Sequence, residues 1–405
     1  MITSDSLSLL KNRSVNLFLT SRVSASLAVQ MVTIAVGWQM YSLTNSAFYL
    51  GLVGLSQFLP MFLLTLVVGY VADRFNRKLI ICLCQAVMSL CFFILALESH
   101  TGGITKEKIL ITVFFMGAIN AFQGPSMQSM LPNIVAKEIF PKAAALSASV
   151  FQTSVIIGPA LGGMLYSLGA SIVYLISAIL LLLSSTMTLF IHINQSQTKP
   201  TAATLKTLFA GISFIRQKPI ILGSISLDLF AVLFGGATAL LPIYASEILK
   251  VGPLGLGILR SAPAVGALIM SAFLTRHPLK KKVGHTLFIA VTVFGLSTIL
   301  FAISKSVALS LAALILLGGS DVISVVIRST LVQTQTPDSM RGRVSSVNQL
   351  FIGTSNQLGE FESGISAAYF GAVPAVIIGG IGTLVVVLLW IKLFPALYKV
   401  DKLVS

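Results

Sequence analysis

Charge is what this sequence has least of: 10% of its 405 residues are Asp, Glu, Lys or Arg, against 56% that are hydrophobic. A water-exposed surface needs far more ionic groups, so a soluble globule is excluded and the bilayer is the solvent for most of the chain. Cysteine is also sparse. Cys82, Cys84 and Cys91 share one apolar run at neither metal-ligand nor redox-pair spacing, which leaves them as small hydrophobes and predicts no metal. His100, His192, His277 and His285 fall at the ends of apolar runs, where solvated surface histidines are expected. There is no phosphate-binding loop and no set of nucleophile, base and oxyanion donor, so the expectation is no enzyme, no ATP-driven machine and no cofactor. A cleavable signal peptide is not expected either, because the first apolar run is too long and lacks a small-residue cleavage site.

What is present is a series of apolar runs long enough to cross a hydrocarbon core of about 30 Å as helices. Twelve spans are read: 17–42, 48–71, 78–98, 108–129, 143–167, 170–192, 219–247, 253–275, 284–304, 307–327, 344–369 and 373–395. They do not alternate polar with apolar residues, so a membrane barrel is excluded and an all-α membrane protein is expected. The net charge of +15 is spread over alternate flanks. Arg13, Arg74, Arg77, Lys78, Lys142, Arg216, Arg276, Arg341 and Lys399 lie on one side, and only Lys106, Lys108, Lys250 and Lys305 on the other. Positive residues remain in the cytoplasm, which predicts two cytoplasmic termini in a multi-pass inner-membrane protein. Basic residues dispersed in this way leave no nucleic-acid footprint.

The two halves repeat. A shift of roughly two hundred residues brings Gly54 onto Gly257, Pro60 onto Pro263, Asn120 onto Asp321, and Gly158–Gly163 onto Gly359–Gly364. The expected organisation is a six-helix bundle over 1–193, a cytoplasmic linker over 194–218, and a second six-helix bundle over 219–405. Six spans per half make parallel repeats, as in carriers whose halves rock about a central site. Within the linker, Leu205, Leu208, Phe209, Ile212 and Ile215 recur at helical spacing and predict a helix lying in the membrane interface.

After the second span comes Gly69-Tyr-Val-Ala-Asp73-Arg74-Phe-Asn76-Arg77-Lys78. Gly lets helices approach closely, Asp73 accepts hydrogen bonds, and the basic trio fixes the turn in the cytoplasm. The string resembles the loop signature of the major facilitator superfamily, with Asn76 at a Gly position, where tolerance of positive φ would preserve the turn. The resemblance implies that Asp73 and Arg77 latch a cytoplasmic gate against the start of span eleven, near Val344–Ser346. Gly158-Pro159-Ala-Leu-Gly162-Gly163 in span five is similar to the antiporter signature of exporters in that superfamily, although Ser154 and Ala145 stand at two of its Gly positions. The strings Leu227–Pro242, Thr336–Val344 and Gly359–Gly364 look like its enterobactin-exporter branch, which includes multidrug effluxers.

Ionisable side chains inside the membrane are costly, so each is a candidate functional group. Asp228, Glu360, Glu362 and Asp321 are candidates for proton coupling; Arg22, Arg260 and Arg328 are the intramembrane cations. Asp321 shares a helical face with Arg328. Glu360 and Glu362 point about 200° apart. Glu360 is favoured for the cavity by its stripe with Gln349 and Asn356, whereas Ser355 and Asn348 accompany Glu362. Candidate substrate contacts on the first two spans are Gln30, Trp38, Gln39 and Gln57. Further along they are Asn120, Gln123, Gln152 and Asn356, with Phe230 and Phe234 beside Asp228.

The resemblance implies a secondary transporter that acts by alternating access, with proton entry driving outward movement of a siderophore or a lipophilic drug. Its expected partners are the solute, protons and the lipid bilayer, and a monomer is the expected working unit. An importer of the same fold and a transport-inactive membrane sensor are the alternatives.

Overall fold

Inside lipid each peptide group must find its partner within its own segment, and the apolar runs do so as helices. The computed structural model describes residues 12–136, 138–192, 205–279 and 281–402, which contain no strand. The first half holds α1 (Arg13–Thr44), α2 (Ala47–Arg74), α3 (Arg77–Thr101), α4 (Lys106–Met130), α5 (Phe140–Tyr166) and α6 (Ala170–Leu189). Next comes α7 (Leu205–Gln217). There follow α8 (Pro219–Phe234), α9 (Gly252–Arg276), α10 (Val283–Ile303), α11 (Val307–Gln335), α12 (Asp338–Phe370), α13 (Ala372–Leu393) and a last turn, α14 (Pro395–Tyr398).

Among the described residues eleven segments are long and apolar enough to cross a membrane. The twelfth, α12, is 33 residues long but polar, because it carries Arg341, Arg343, Glu360, Glu362 and several amides. Most bounds lie within four residues of the sequence spans. The exceptions are α11, which runs eight residues further, and α12, which starts six residues earlier. Large apolar side chains such as Leu63 (61% exposed), Leu90 (58%) and Leu388 (65%) point outward from the helices. So much outward apolar surface requires lipid as its solvent.

Span seven departs from the continuous helix expected over 219–247. After α8 the chain tightens into a 3₁₀ turn (Gly236–Leu240), makes one α turn (Leu241–Ile243) and widens into a π turn (Tyr244–Ile248). The cause is local. Gly236 lies against the backbone of Gly359, where a Cβ would also sit 2.5 Å from Ser363 Oγ, and Pro242 supplies no N–H for a regular helix.

By packing, the described chain falls into two compact units. The first comprises Met1–Leu43, Leu59–Ala202 and Pro253–Gly257. At its centre a row of hydroxyls joins α1, α3 and α6. Ser21 meets Ser184 Oγ at 2.8 Å and Thr188 Oγ1 at 2.7 Å, Ser185 donates to the Cys82 carbonyl (2.9 Å), and Ser89 donates to the Ala178 carbonyl (2.7 Å). Small hydroxylated residues let these backbones approach and supply hydrogen bonds that lipid cannot.

The second unit comprises Thr44–Phe58, Ala203–Gly252 and Ile258–Ser405. Here α9 and α11 touch backbone to backbone: Gly266 lies on the Ile315 carbonyl and Gly318 on that of Pro263, so a side chain at either position would collide. One apolar cluster joins α8, α10, α11 and α13 around Leu227, Phe288, Ile327 and Val387. Another seats α7 and α8 against α12 through Ile215, Ile221, Val344 and Val347.

Candidate functional site

The densest group of intramembrane charge lies in the second unit. Asp228, three turns into α8, binds Arg328 of α11 with Nη1 to Oδ2 at 2.8 Å, and only 7% and 5% of the two side chains are exposed. Arg328 also donates to Asn348 Oδ1 on α12 (3.4 Å), and Ser324 hydrogen-bonds the same Asp228 carboxylate. Two charges withdrawn from water hold one another strongly, and loss of either strands its partner. Asp321 shares a face of α11 with Arg328, as expected, but the ion pair of Arg328 runs to a different helix. Asp321 lies within electrostatic reach of both Asp228 and Arg328 and forms no ion pair among the described residues.

A second pair joins α9 to α12. Arg260 Nη2 lies 3.5 Å from Glu360 Oε1, and its Nη1 donates to the Thr238 carbonyl at 3.0 Å. That carbonyl belongs to the 3₁₀ turn of span seven, so the guanidinium satisfies backbone where helical bonding is interrupted. Gly54 of α2 leaves room for the acid: a Cβ there would come 3.2 Å from Glu360 Oε2. Glu362, on the other face of α12, accepts from Ser366 Oγ (2.8 Å) and meets no cation among the described residues. Asp228, Asp321 and Glu360 thus lie by two guanidinium groups, and Glu362 stands apart from both.

In the first unit Arg22 places its guanidinium carbon 5.3 Å from the centre of the Phe151 ring, and its Nε is buried without a hydrogen-bond partner. Gln39 is spent on packing, since it accepts from Tyr174 Oη (2.7 Å) and donates to Ser99 Oγ (3.1 Å). Trp38 packs edge-on against Tyr166. Gln123 has a buried Oε1 without a partner, and Gln30, Asn120 and Gln152 are half-buried. Pro159 lies within α5 beside α9, with its carbonyl against Gly257. Gly158 lies on Gln30, Gly162 on the Met31 backbone and Gly163 on that of Pro253.

The remaining candidates belong to the second unit. Gln57 is half-buried, and Asn356 donates to the Ile352 carbonyl of its own helix. Phe230 packs at a tilt against Trp390, and Phe234 packs on Gly379 and Gly382 of α13, so both rings turn from Asp228 toward α13. Gln357, which sequence reasoning passed over, has a buried Oε1 without a partner. Its amide resembles the others on α12 in sequence, and only packing sets it apart.

In the loop signature, Asn76 does not use positive φ. It is extended (φ −64°) and caps α3 by accepting from the Lys78 N–H at 3.0 Å. A side chain that satisfies a helix N-terminus replaces a residue chosen for flexibility. Arg77 donates to the Ser129 carbonyl (3.4 Å) and Lys78 to that of Ile191 (3.0 Å). The side chains of Asp73 and Arg74 and the contacts of Gly69 lie outside the described set, and with them the expected latch. At the start of α12, where that latch was expected, α7 is seated: a Cβ on its Gly211 would lie 2.9 Å from the Arg343 carbonyl. No His, Cys, Asp or Glu group able to hold a metal ion occurs among the described residues.

Comparison with known proteins agrees with this architecture. The chain is 25% identical over 388 residues to the enterobactin exporter EntS of Citrobacter koseri, covering 94% of this chain and 91% of that protein. It is 24% identical over 373 residues to the EntS of Escherichia coli O1:K1, covering 90% and 88%. Among solved structures, a point mutant of the nucleoside transporter NupG superposes with a TM-score of 0.72 at 18% identity, over 95% of this chain and 100% of that one. A bacterial homologue of the human lysosomal transporter Spinster, inward-facing, gives 0.71 at 14%, with 95% of both chains covered. These likenesses show the fold to be that of major facilitator transporters, twelve helices in two related bundles. The family described as transmembrane secretion effector matches residues 4–403, and the chain is a member of that family of membrane transporters.

Proposed function

We propose that this transporter exports a small organic molecule, a siderophore first and a lipophilic drug second, in exchange for protons entering the cell. The observation that carries the reading is the buried Asp228–Arg328 pair with Asp321 beside it. Two carboxylates within reach of one guanidinium bear a surplus negative charge, which a single proton cancels. Protonation of Asp228 frees Arg328 to turn to Asp321, and that exchange alters the bond between α8 and α11. A proton-sensitive tie between two helices is the kind of bistable contact through which loading of an ion can bias one conformation over another. The Arg260–Glu360 pair joins the interrupted part of span seven to α12. Similarity to enterobactin exporters supports the direction and the cargo.

In this reading residues 1–193 rock against 219–405, both termini face the cytoplasm, and the protein works as a monomer in a bacterial inner membrane. The test is reconstitution in lipid vesicles with enterobactin or ethidium as cargo and a pH gradient of either sign. Cargo should move against the proton flux, and Asp228→Asn should uncouple it. Movement with the proton flux would identify an importer instead, and indifference to both gradient and substitution would identify a membrane sensor.

A further inference from the structure

Arg22 is the one cation described in the inner turns of the first unit, and none of the carboxylates described there pairs with it. It lies nine residues into α1, about 13 Å from Arg13 at helical rise. The carboxylates described in that unit are remote at helix ends: Glu98 is bound to Lys108 (2.6 Å), Glu107 lies 3.9 Å from Lys106, and Glu138 is exposed in a turn. Its contact is the Phe151 ring of α5, itself 41% exposed, and its Nε has no hydrogen-bond partner. A ring face attracts a guanidinium but does not cancel its charge, so the cation remains uncompensated in a costly setting. Further along the same seam Gln30 lies against Gly158, which adds an amide two turns away.

We propose that Arg22 and Phe151 form a subsite for an oxyanion on a planar organic solute, such as an aryl carboxylate or a catecholate. The guanidinium presents parallel N–H donors that match two adjacent oxygens, and the half-open Phe151 ring provides apolar surface for the solute's ring. This subsite rests on the transport reading above, since it names the class of cargo. A lipid headgroup offers the same oxyanion chemistry, and the experiment separates the two sources.

Purified protein in nanodiscs of phosphatidylcholine is titrated with 2,3-dihydroxybenzoate as the anionic probe and ethidium as the cationic one. Wild type should bind 2,3-dihydroxybenzoate, Arg22→Gln should weaken that binding tenfold or more, and Arg22→Lys, which keeps the charge but loses the fork, should fall between. Ethidium binding should not weaken in Arg22→Gln, and the variant should melt no lower than wild type, because removing an unpaired charge strands no partner. Failure of wild type to bind the anion, equal binding by Arg22→Gln, or a fall in melting temperature that marks a structural role would each overturn the subsite. So would displacement of the probe by phosphatidylglycerol, which would assign the site to lipid. If ethidium still moves against a proton gradient when the subsite fails, the transport reading stands alone. If the anion binds through Arg22 but no solute follows the gradient, the subsite stands and the transport reading falls.

Discussion

Asp228 and Arg328 face each other at 2.8 Å from two helices a hundred residues apart in sequence, with nearly all of both side chains withdrawn from solvent. Removal of one partner leaves a stranded charge, which costs about 3–5 kcal/mol for a buried pair. Arg328→Gln, which strands Asp228 and Asp321, should therefore lower the melting temperature in detergent by the larger amount, and Asp228→Asn, which leaves Arg328 within reach of Asp321, by the smaller. The double variant should regain most of the loss while remaining uncoupled from the proton gradient. A double variant as unstable as the sum of the singles would contradict a direct pair.

Arg260 serves two acceptors, whereas Glu360 serves one side of that pair. Arg260→Ala should be more destabilising than Glu360→Gln, because it also strips the Thr238 carbonyl of its donor, a loss of about 1–3 kcal/mol for a buried group. Parallel thermal-shift curves for the two variants check the order.

The helices and their polar interruptions were legible because a bilayer imposes one length and one backbone solution on every crossing segment. Bounds slipped where polar helix continues past the membrane, as at Asp338–Val344 of α12, because a span ends where hydropathy ends and a helix does not. Pairing was beyond reach. Periodicity placed Asp321 and Arg328 on one face, but a salt bridge is chosen between helices, and the approach of α8 to α11 is settled by packing around Leu227 and Ile327. For the same reason Gln39 read as an available amide, although Tyr174 and Ser99, distant in sequence, claim both its ends. The interruption of span seven was foreshadowed by Gly235, Gly236 and Pro242, residues that also occur within unbroken helices.

Asn76 caps α3 by its side chain. Asn76→Ala should cost about 1 kcal/mol, whereas Asn76→Asp, which keeps the acceptor, should be tolerated. If Asn76→Gly matched Asn76→Ala in the thermal shift, backbone conformation would not be the distinguishing factor at this turn, since Gly is itself a fair cap.

Two glycines make a contrasting pair. Gly318→Val drives a side chain into the Pro263 backbone and should cost about 3 kcal/mol or more, visible as lost yield of folded protein. Gly342 has nothing within 4 Å of where a Cβ would stand and lies in the first turns of α12, so Gly342→Ala should stabilise by about 0.5–1 kcal/mol.

The hydroxyl row that pins Ser21, Ser184 and Thr188 together, with Ser185 and Ser89 on the neighbouring strip, makes α1, α3 and α6 a keel. In the proposed cycle these three rods should travel as one piece, leaving α5, which the row does not reach, to move. A cross-link within the keel should be harmless to turnover, while one tethering α5 to it should bring the cycle to a halt.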